Sequence, residues 1–185
     1  VQTLTDADGD KDSAFIDLGR GVFKIEDDGP NAVAANCDIP VLKLDESPEP
    51  YAGDGDRSTT ANFAANFNLQ HGTFDYGTDG PGAVKYNLDL SEKGIGSGLY
   101  ALDPSDTSAS PDGIGQGAEI RLYEDANGVI HGRLTEHGAD YFTISVNSSG
   151  TVTFTQQKNI WHANTGSDDD SQTLTLDRGE WLRLV

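Results

Sequence analysis

Short runs of alternating apolar and polar residues, each closed by a turn rich in glycine, asparagine or aspartate, recur along the chain. In 84–90, Val84, Tyr86, Leu88 and Leu90 alternate with Lys85, Asn87 and Asp89, and a period of two predicts a strand with one buried face. Runs 120–123 and 129–134 flank Glu124-Asp-Ala-Asn-Gly128, and runs 141–146 and 151–155 flank Asn147-Ser-Ser-Gly150, so each pair predicts a hairpin. Residues 1–5 and 13–18 predict a further pair around Asp6-Ala-Asp-Gly-Asp-Lys-Asp12. Shorter strands are predicted at 22–25, 41–44, 173–176 and 181–185. The first of these stops at Gly29-Pro30, where proline has no N–H for a ladder. Only 61–69 reads as helical, with Phe63 and Phe67 four apart on one face. Many short strands with turn chemistry between them predict an all-β sandwich with at most one short helix, its core filled in part by Trp161 and Trp181. Two stretches, 47–60 and 103–117, predict loops, and loops of that length in a folded domain are usually functional or disordered.

Charge changes the picture. The 185 residues carry 31 acidic against 12 basic side chains, a formal net charge of −19. A nucleic-acid binder needs a basic footprint, which this composition excludes. Such a charge repels itself, and bound divalent cations are the natural neutraliser. Adaptation to high salt is the alternative, but it would spread acid over the surface, whereas here much of it sits in glycine-bearing loops. Cys37 is the single cysteine, so neither a disulfide framework nor a cysteine zinc site is available. No apolar run approaches 18 residues, so no membrane span is predicted. With no methionine and no signal peptide, the sequence reads as one exported domain, 1–185, excised from a longer multi-domain chain.

The acids fall into clusters that suit calcium, which takes six to eight oxygens at flexible geometry. Asp6, Asp8, Asp10 and Asp12 form a turn of hard donors, read as a structural Ca²⁺ site against the alternative of a solvated acidic turn. The spacing is shorter than an EF-hand loop and has no glutamate at a twelfth position, which excludes that motif. Further metal candidates are Asp27 and Asp28 beside Glu26, Asp45 and Glu46 with Asp54 and Asp56, Asp79, Asp103, Asp112, and the run Asp168, Asp169 and Asp170. No catalytic residue is predicted: there is no G-x-S-x-G, and His71, His131, His137 and His162 share no metal-binding spacing. Gly113-Ile-Gly-Gln-Gly117 lacks the Lys-Ser/Thr pair of a phosphate-binding loop.

Several segments in order resemble a known family: Thr5-Asp-Ala-Asp-Gly-Asp10, Phe23-Lys-Ile-Glu-Asp-Asp-Gly-Pro30, Leu44-Asp-Glu46, Tyr76-Gly-Thr-Asp-Gly80, Gly113-Ile-Gly-Gln-Gly117, Phe142-Thr-Ile-Ser145, Val152-Thr-Phe-Thr-Gln156, and Ile160-Trp-His162 with Asp168-Asp-Asp170. Nearly the whole chain resembles the repeat domain of giant RTX adhesins exported by type I secretion in Gram-negative bacteria. More narrowly, it is similar to their calcium-dependent peptide-binding domains. The resemblance implies a β-sandwich stabilised by several Ca²⁺ ions, outside the cell at the bacterial surface. It also implies recognition of a peptide or protein C-terminus on a target cell, the ligand's carboxylate drawn to a bound Ca²⁺.

On that reading the 103–117 loop is the ligand site. Asp103 and Asp112 are expected to hold a Ca²⁺ with one position open, Gly113, Ile114, Gly115 and Gln116 to offer approachable backbone and one amide, and Tyr76 to stack on or hydrogen-bond the peptide, against the alternatives of a surface loop with a purely structural ion and of Tyr76 as packing. The expected partners are peptide C-termini and neighbouring adhesin domains, with cell adhesion and biofilm formation the setting. The alternative function is a Ca²⁺-rigidified spacer of the adhesin stalk. Residues 182–185 would run smoothly into 1–4 as one strand, the pattern of a unit from a tandem array.

Overall fold

The computed structural model describes residues 1–17, 22–34, 38–46, 57–67, 74–106, 115–164 and 170–185. Its elements are β1 (Gln2–Thr5), β2 (Lys11–Ala14), β3 (Ser58–Asn62), a 3₁₀ turn (Ala64–Asn66), β4 (Leu88–Leu90), β5 (Ile95–Asp103), β6 (Gly115–Glu124), β7 (Ile130–Arg133), β8 (Phe142–Val146), β9 (Thr151–Gln156) and β10 (Leu182–Leu184). The chain divides into two units, Val1–Asn31 with Asp75–Pro81, and Ala32–Phe74 with Gly82–Val185.

In the first unit β1 and β2 pair antiparallel, Gln2 opposite Ala14 and Thr5 opposite Lys11. A Thr3–Ser13 hydroxyl bond of 2.8 Å lies across the pair. Elsewhere in this unit the Asn31 N–H donates to the Asp75 carbonyl at 3.0 Å. Gly77 has φ +73°, and a Cβ there would stand 2.0 Å from the Asp28 carbonyl oxygen, so only glycine fits. None of the described residues of this unit is buried.

The second unit is a two-layer β-sandwich. One layer is a six-stranded antiparallel sheet in the order β3-β9-β8-β7-β6-β5; the other is the β4–β10 pair, Leu88 opposite Leu184 and Leu90 opposite Leu182. Leu88 and Leu90 join Ile95, Leu99, Ile120, Leu122, Ile130 and Phe142 in one buried cluster, with Leu174, Leu176, Leu182 and Leu184 packed against it. The predicted alternation of 84–90 is realised: Val84 and Tyr86 are half-buried, Leu88 and Leu90 buried, Lys85 and Asn87 exposed. Phe142 meets Phe154 edge to face at 5.5 Å, and its ring lies on Gly132, where a Cβ would come within 2.5 Å of two ring carbons. Ser97, fully buried, donates its hydroxyl to the Ile120 carbonyl at 2.6 Å and accepts the Leu99 N–H at 3.2 Å.

The two predicted hairpins of this unit form as β6–β7 and β8–β9. Other expectations are corrected. The helix expected over 61–69 is instead the end of β3 followed by a single 3₁₀ turn. β3, with its β-branched Thr59 and Thr60, finds a ladder on β9, and pairing over five residues outweighs a weak helical pattern. Residues 22–25, 41–44 and 173–176 form no strand, although Leu42, Leu44, Leu174 and Leu176 still turn inward in alternation. Trp181 is not core: its indole N–H donates to Asp89 at 3.1 Å, and Arg183 lies over its ring on the surface. Gly115, Gln116 and Gly117 belong to β6, so the loop is shorter at that end than expected.

Candidate functional site

The acidic turn is a β-hairpin turn of defined hydrogen bonding. The Asp6 N–H donates to the Asp10 carbonyl at 3.0 Å, and Gly9, at φ +104°, donates to the Asp6 carbonyl at 3.3 Å. Asp6 Oδ1 accepts the N–H groups of Gly9 at 3.1 Å and Asp10 at 2.9 Å. The same turn recurs twice in the second unit. Asp125 and Asn147 stand where Asp6 does, Gly128 and Gly150 (each φ +76°) where Gly9 does. The closing bonds match, Asp125 N–H to Val129 at 2.9 Å and Asn147 N–H to Thr151 at 3.0 Å. Their side-chain oxygens likewise accept the N–H of Val129 at 2.9 Å and of Thr151 at 3.1 Å. What sets 6–10 apart from these two turns is the extra carboxylates at Asp8 and Asp10.

Those carboxylates converge. One oxygen each of Asp6, Asp8 and Asp10 lie within 4.8 Å of one another, all exposed. Three carboxylate oxygens this close together could hold a metal ion. Contact with the Asp8 side chain, and then the Asp10 N–H, lower the Asp6 carboxyl below the usual carboxylate range. Asp12 lies apart from the turn: it sits in β2 opposite Leu4 and accepts its neighbour Ser13's N–H at 2.9 Å.

At the other candidate site the structure joins Asp103 to Gly115 as strand partners where β5 and β6 end, with Leu102 opposite Gln116. The Gly115 N–H donates to the Asp106 carbonyl at 2.7 Å, clamping the two sides. A Cβ at Gly115 would come within 2.5 Å of the Asp106 side chain, so glycine is required for that approach. The Ser105 hydroxyl and N–H, at 2.6 and 2.9 Å, hold Asp103 below the ordinary carboxylate range. Gln116 is exposed. Asp112, Gly113 and Ile114 lie outside the described residues, as do Asp54, Asp56, Asp168 and Asp169.

The remaining candidates are dispersed. Asp27 and Asp28 are exposed in the first unit, where the Asp28 backbone meets Gly77, next to half-buried Tyr76, and Asp79 is exposed nearby in sequence. Asp45 lies 3.9 Å from Lys43. Asp170 accepts the Asn164 N–H at 3.0 Å and the Gln172 amide at 3.1 Å. Glu46 acts as a staple: one oxygen accepts the Gln156 amide and the Ile160 N–H (3.1 Å), and the other lies 3.7 Å from His162 Nε2.

One charged cluster escaped the sequence reading. On β7, His131 Nδ1 lies 3.0 Å from Asp140, whose same oxygen also takes the Arg133 Nε–H; His131 Nε2 lies 3.5 Å from Asp125. Burial pushes the Asp140 carboxyl up, but the hydrogen bonds from Arg133 and His131 outweigh it and leave it below the usual range. Its only sequence signal was His131 and Arg133 two apart on one strand face.

Among the described residues no helix is long and apolar enough to cross a membrane. No curated protein and no solved structure matches the chain. The family described as "Domain of unknown function (DUF5801)" matches residues 41–184. With most of its length matched, beginning just before Glu46 and running through the whole two-layer sandwich to β10, the chain belongs to that family.

Proposed function

We propose that this chain is a Ca²⁺-dependent ligand-binding module of a bacterial surface adhesin, secreted by a type I system, that captures the C-terminal end of a peptide or protein on a target cell. The observation that carries the reading is the end of the β5–β6 hairpin. Two long strands hold Asp103, Gly115 and the exposed Gln116 together at one end of the sheet, a fixed frame for a ligand. Asp103 is ionised and supplies an oxygen donor for a cation. A bound Ca²⁺ supplies the positive centre that a ligand carboxylate needs on a protein of charge −19.

The acidic turn favours a second reading, a Ca²⁺-rigidified spacer of the adhesin stalk, because Asp6, Asp8 and Asp10 belong to the first unit and the β5–β6 end to the second. A panel of immobilised peptides with free or amidated C-termini, probed in Ca²⁺ and in chelator, separates the two. Capture is expected only for free C-termini in Ca²⁺. Binding that survives amidation removes the carboxylate mechanism, and no binding to any peptide leaves the spacer.

A further inference from the structure

We propose that Asp125, His131, Arg133 and Asp140 form a proton-operated switch, in which protonation of His131 releases Arg133 and with it the 134–140 loop that Arg133 holds. The device lies wholly within the second unit, goes beyond ligand capture and does not depend on it.

The observation is a conflict at one atom. His131 Nδ1 lies 2.8 Å from Arg133 Nη2, a group that only donates, and 3.0 Å from Asp140 Oδ1, which as a carboxylate only accepts. No single protonation state of the imidazole serves both. A bare Nδ1 accepts from Arg133 and turns a lone pair toward Asp140; a protonated Nδ1 donates to Asp140 and sets its N–H against that of Arg133. The other ring nitrogen decides between the neutral tautomers. Nε2 lies 3.5 Å from Asp125 Oδ2, so Nε2 carries the hydrogen and Nδ1 is bare. In that state Arg133 spans three acceptors: His131 through Nη2, Asp140 through Nε, and the Glu136 carbonyl through Nη1 at 2.9 Å, which ties the loop back to β7.

A proton on His131 reverses the preference. Both ring N–H groups then face carboxylates, and the cluster no longer sets two carboxylates against a single cation, a gain on a chain of charge −19. The cost falls on Arg133, which loses the His131 acceptor, meets a like charge and competes with His131 for the same Asp140 oxygen. Side-chain exposure is 14% for His131, 21% for Arg133 and 26% for Asp140, so these charges are screened less than at a free surface. Opposite His131 in the ladders stand Tyr123 on β6 and Thr143 on β8, and the loop itself carries exposed His137 and Glu136, the latter 3.4 Å from Lys93. Without Arg133 on the Glu136 carbonyl, the loop relies on its own turn bond, from the Gly138 N–H to the Thr135 carbonyl at 2.9 Å.

Ring-nitrogen NMR of His131 across pH tests this on the full chain, read beside amide-exchange protection factors of 134–140, which divide out the intrinsic pH dependence of exchange. The neutral ring is expected to carry its hydrogen on Nε2. As the ring takes up a proton, the loop's protection should fall roughly tenfold, the scale of one lost hydrogen bond to a charged group, while that of the 147–151 turn holds. H131Q should abolish the response, and H137Q, which deletes the histidine on the loop itself, should keep it. A neutral ring with its hydrogen on Nδ1, protection that stays level while His131 titrates, or a response that survives H131Q or disappears in H137Q each overturn the proposal.

Discussion

Gly132→Ala probes the tightest point of the core. In a strand, replacing glycine by alanine ordinarily stabilises by about 0.4–1 kcal/mol, because the unfolded chain loses freedom. Here the added Cβ would lie 2.5 Å from two carbons of the Phe142 ring, where carbon–carbon contacts want about 3.5–4.0 Å. The ring or the strand must therefore move by roughly 1 Å. Phe142 is 1% exposed and meets Phe154 edge-on, so a displaced ring presses on a neighbour already in contact. Overpacking of this kind costs about 1–3 kcal/mol, which leaves a net loss between about 0 and 2.6 kcal/mol, centred near 1.3, after the unfolded-state gain. For a chain of this length that lowers Tm by roughly 2–4 °C per kcal/mol. Thermal unfolding of G132A, F142L and the double variant checks it, with the alanine expected to cost about 1 kcal/mol less beside leucine. A higher Tm for G132A, or an equal cost in both backgrounds, refutes the reasoning.

Three further outcomes are expected. D8N/D10V turns Asp6-Ala-Asp-Gly-Asp10 into the Asp-Ala-Asn-Gly-Val of 125–129; amide exchange should show the turn intact, while calorimetry shows loss of one Ca²⁺, and an unchanged stoichiometry would remove the ion from this turn. Asp140 is depressed in the fold, so its stabilisation is complete above the unfolded carboxylate value of about 3.9 and is lost as pH falls through the lower folded value. Asp140→Asn should therefore cost about 1–3 kcal/mol at neutral pH, the pair being about three-quarters buried, and flatten stability against pH in the acid range; parallel curves for variant and parent would contradict it. Ser97→Ala strands the Leu99 N–H and one Ile120 lone pair in the core and should cost about 1–3 kcal/mol in denaturant melts, with a neutral result counting against those bonds.

The hairpins were legible where local chemistry decides them. Asp125 to Val129 and Asn147 to Thr151 carry both their turn residues and their flanking alternation, and the structure follows. β5 was not legible, because Gly96 and Gly98 fall between Ile95, Ser97 and Leu99 and mask the period of two. Those glycines are needed there: Glu119 lies over Gly96 and bonds the Gly98 N–H at 3.1 Å, while Gly98, at φ +70°, faces the Thr175 carbonyl. β3 was misread since its stabilisation comes from β9, nearly a hundred residues away. Of the acidic candidates, 6, 8 and 10 converge because one five-residue turn holds all three. The Asp125–His131–Arg133–Asp140 cluster is assembled by register between strands, which no linear pattern reports.

The order of strands in the large sheet also dictates a folding sequence. From β5 to β9 each strand pairs with the next in the chain, across connections of a few to about a dozen residues, whereas β3 waits for β9 and β10 for β4, each some ninety residues away. Loop-closure entropy is lower for the neighbours, so the meander from β5 to β9 forms the nucleus and the distant strands dock afterwards. Pulse-labelled amide exchange during refolding should find β6, β7 and β8 protected before β3 and β10, and simultaneous protection would contradict that order. During synthesis β3 and β4 leave the ribosome before their partners exist, so the chain emerges holding unpaired edges until β9 and then β10 arrive.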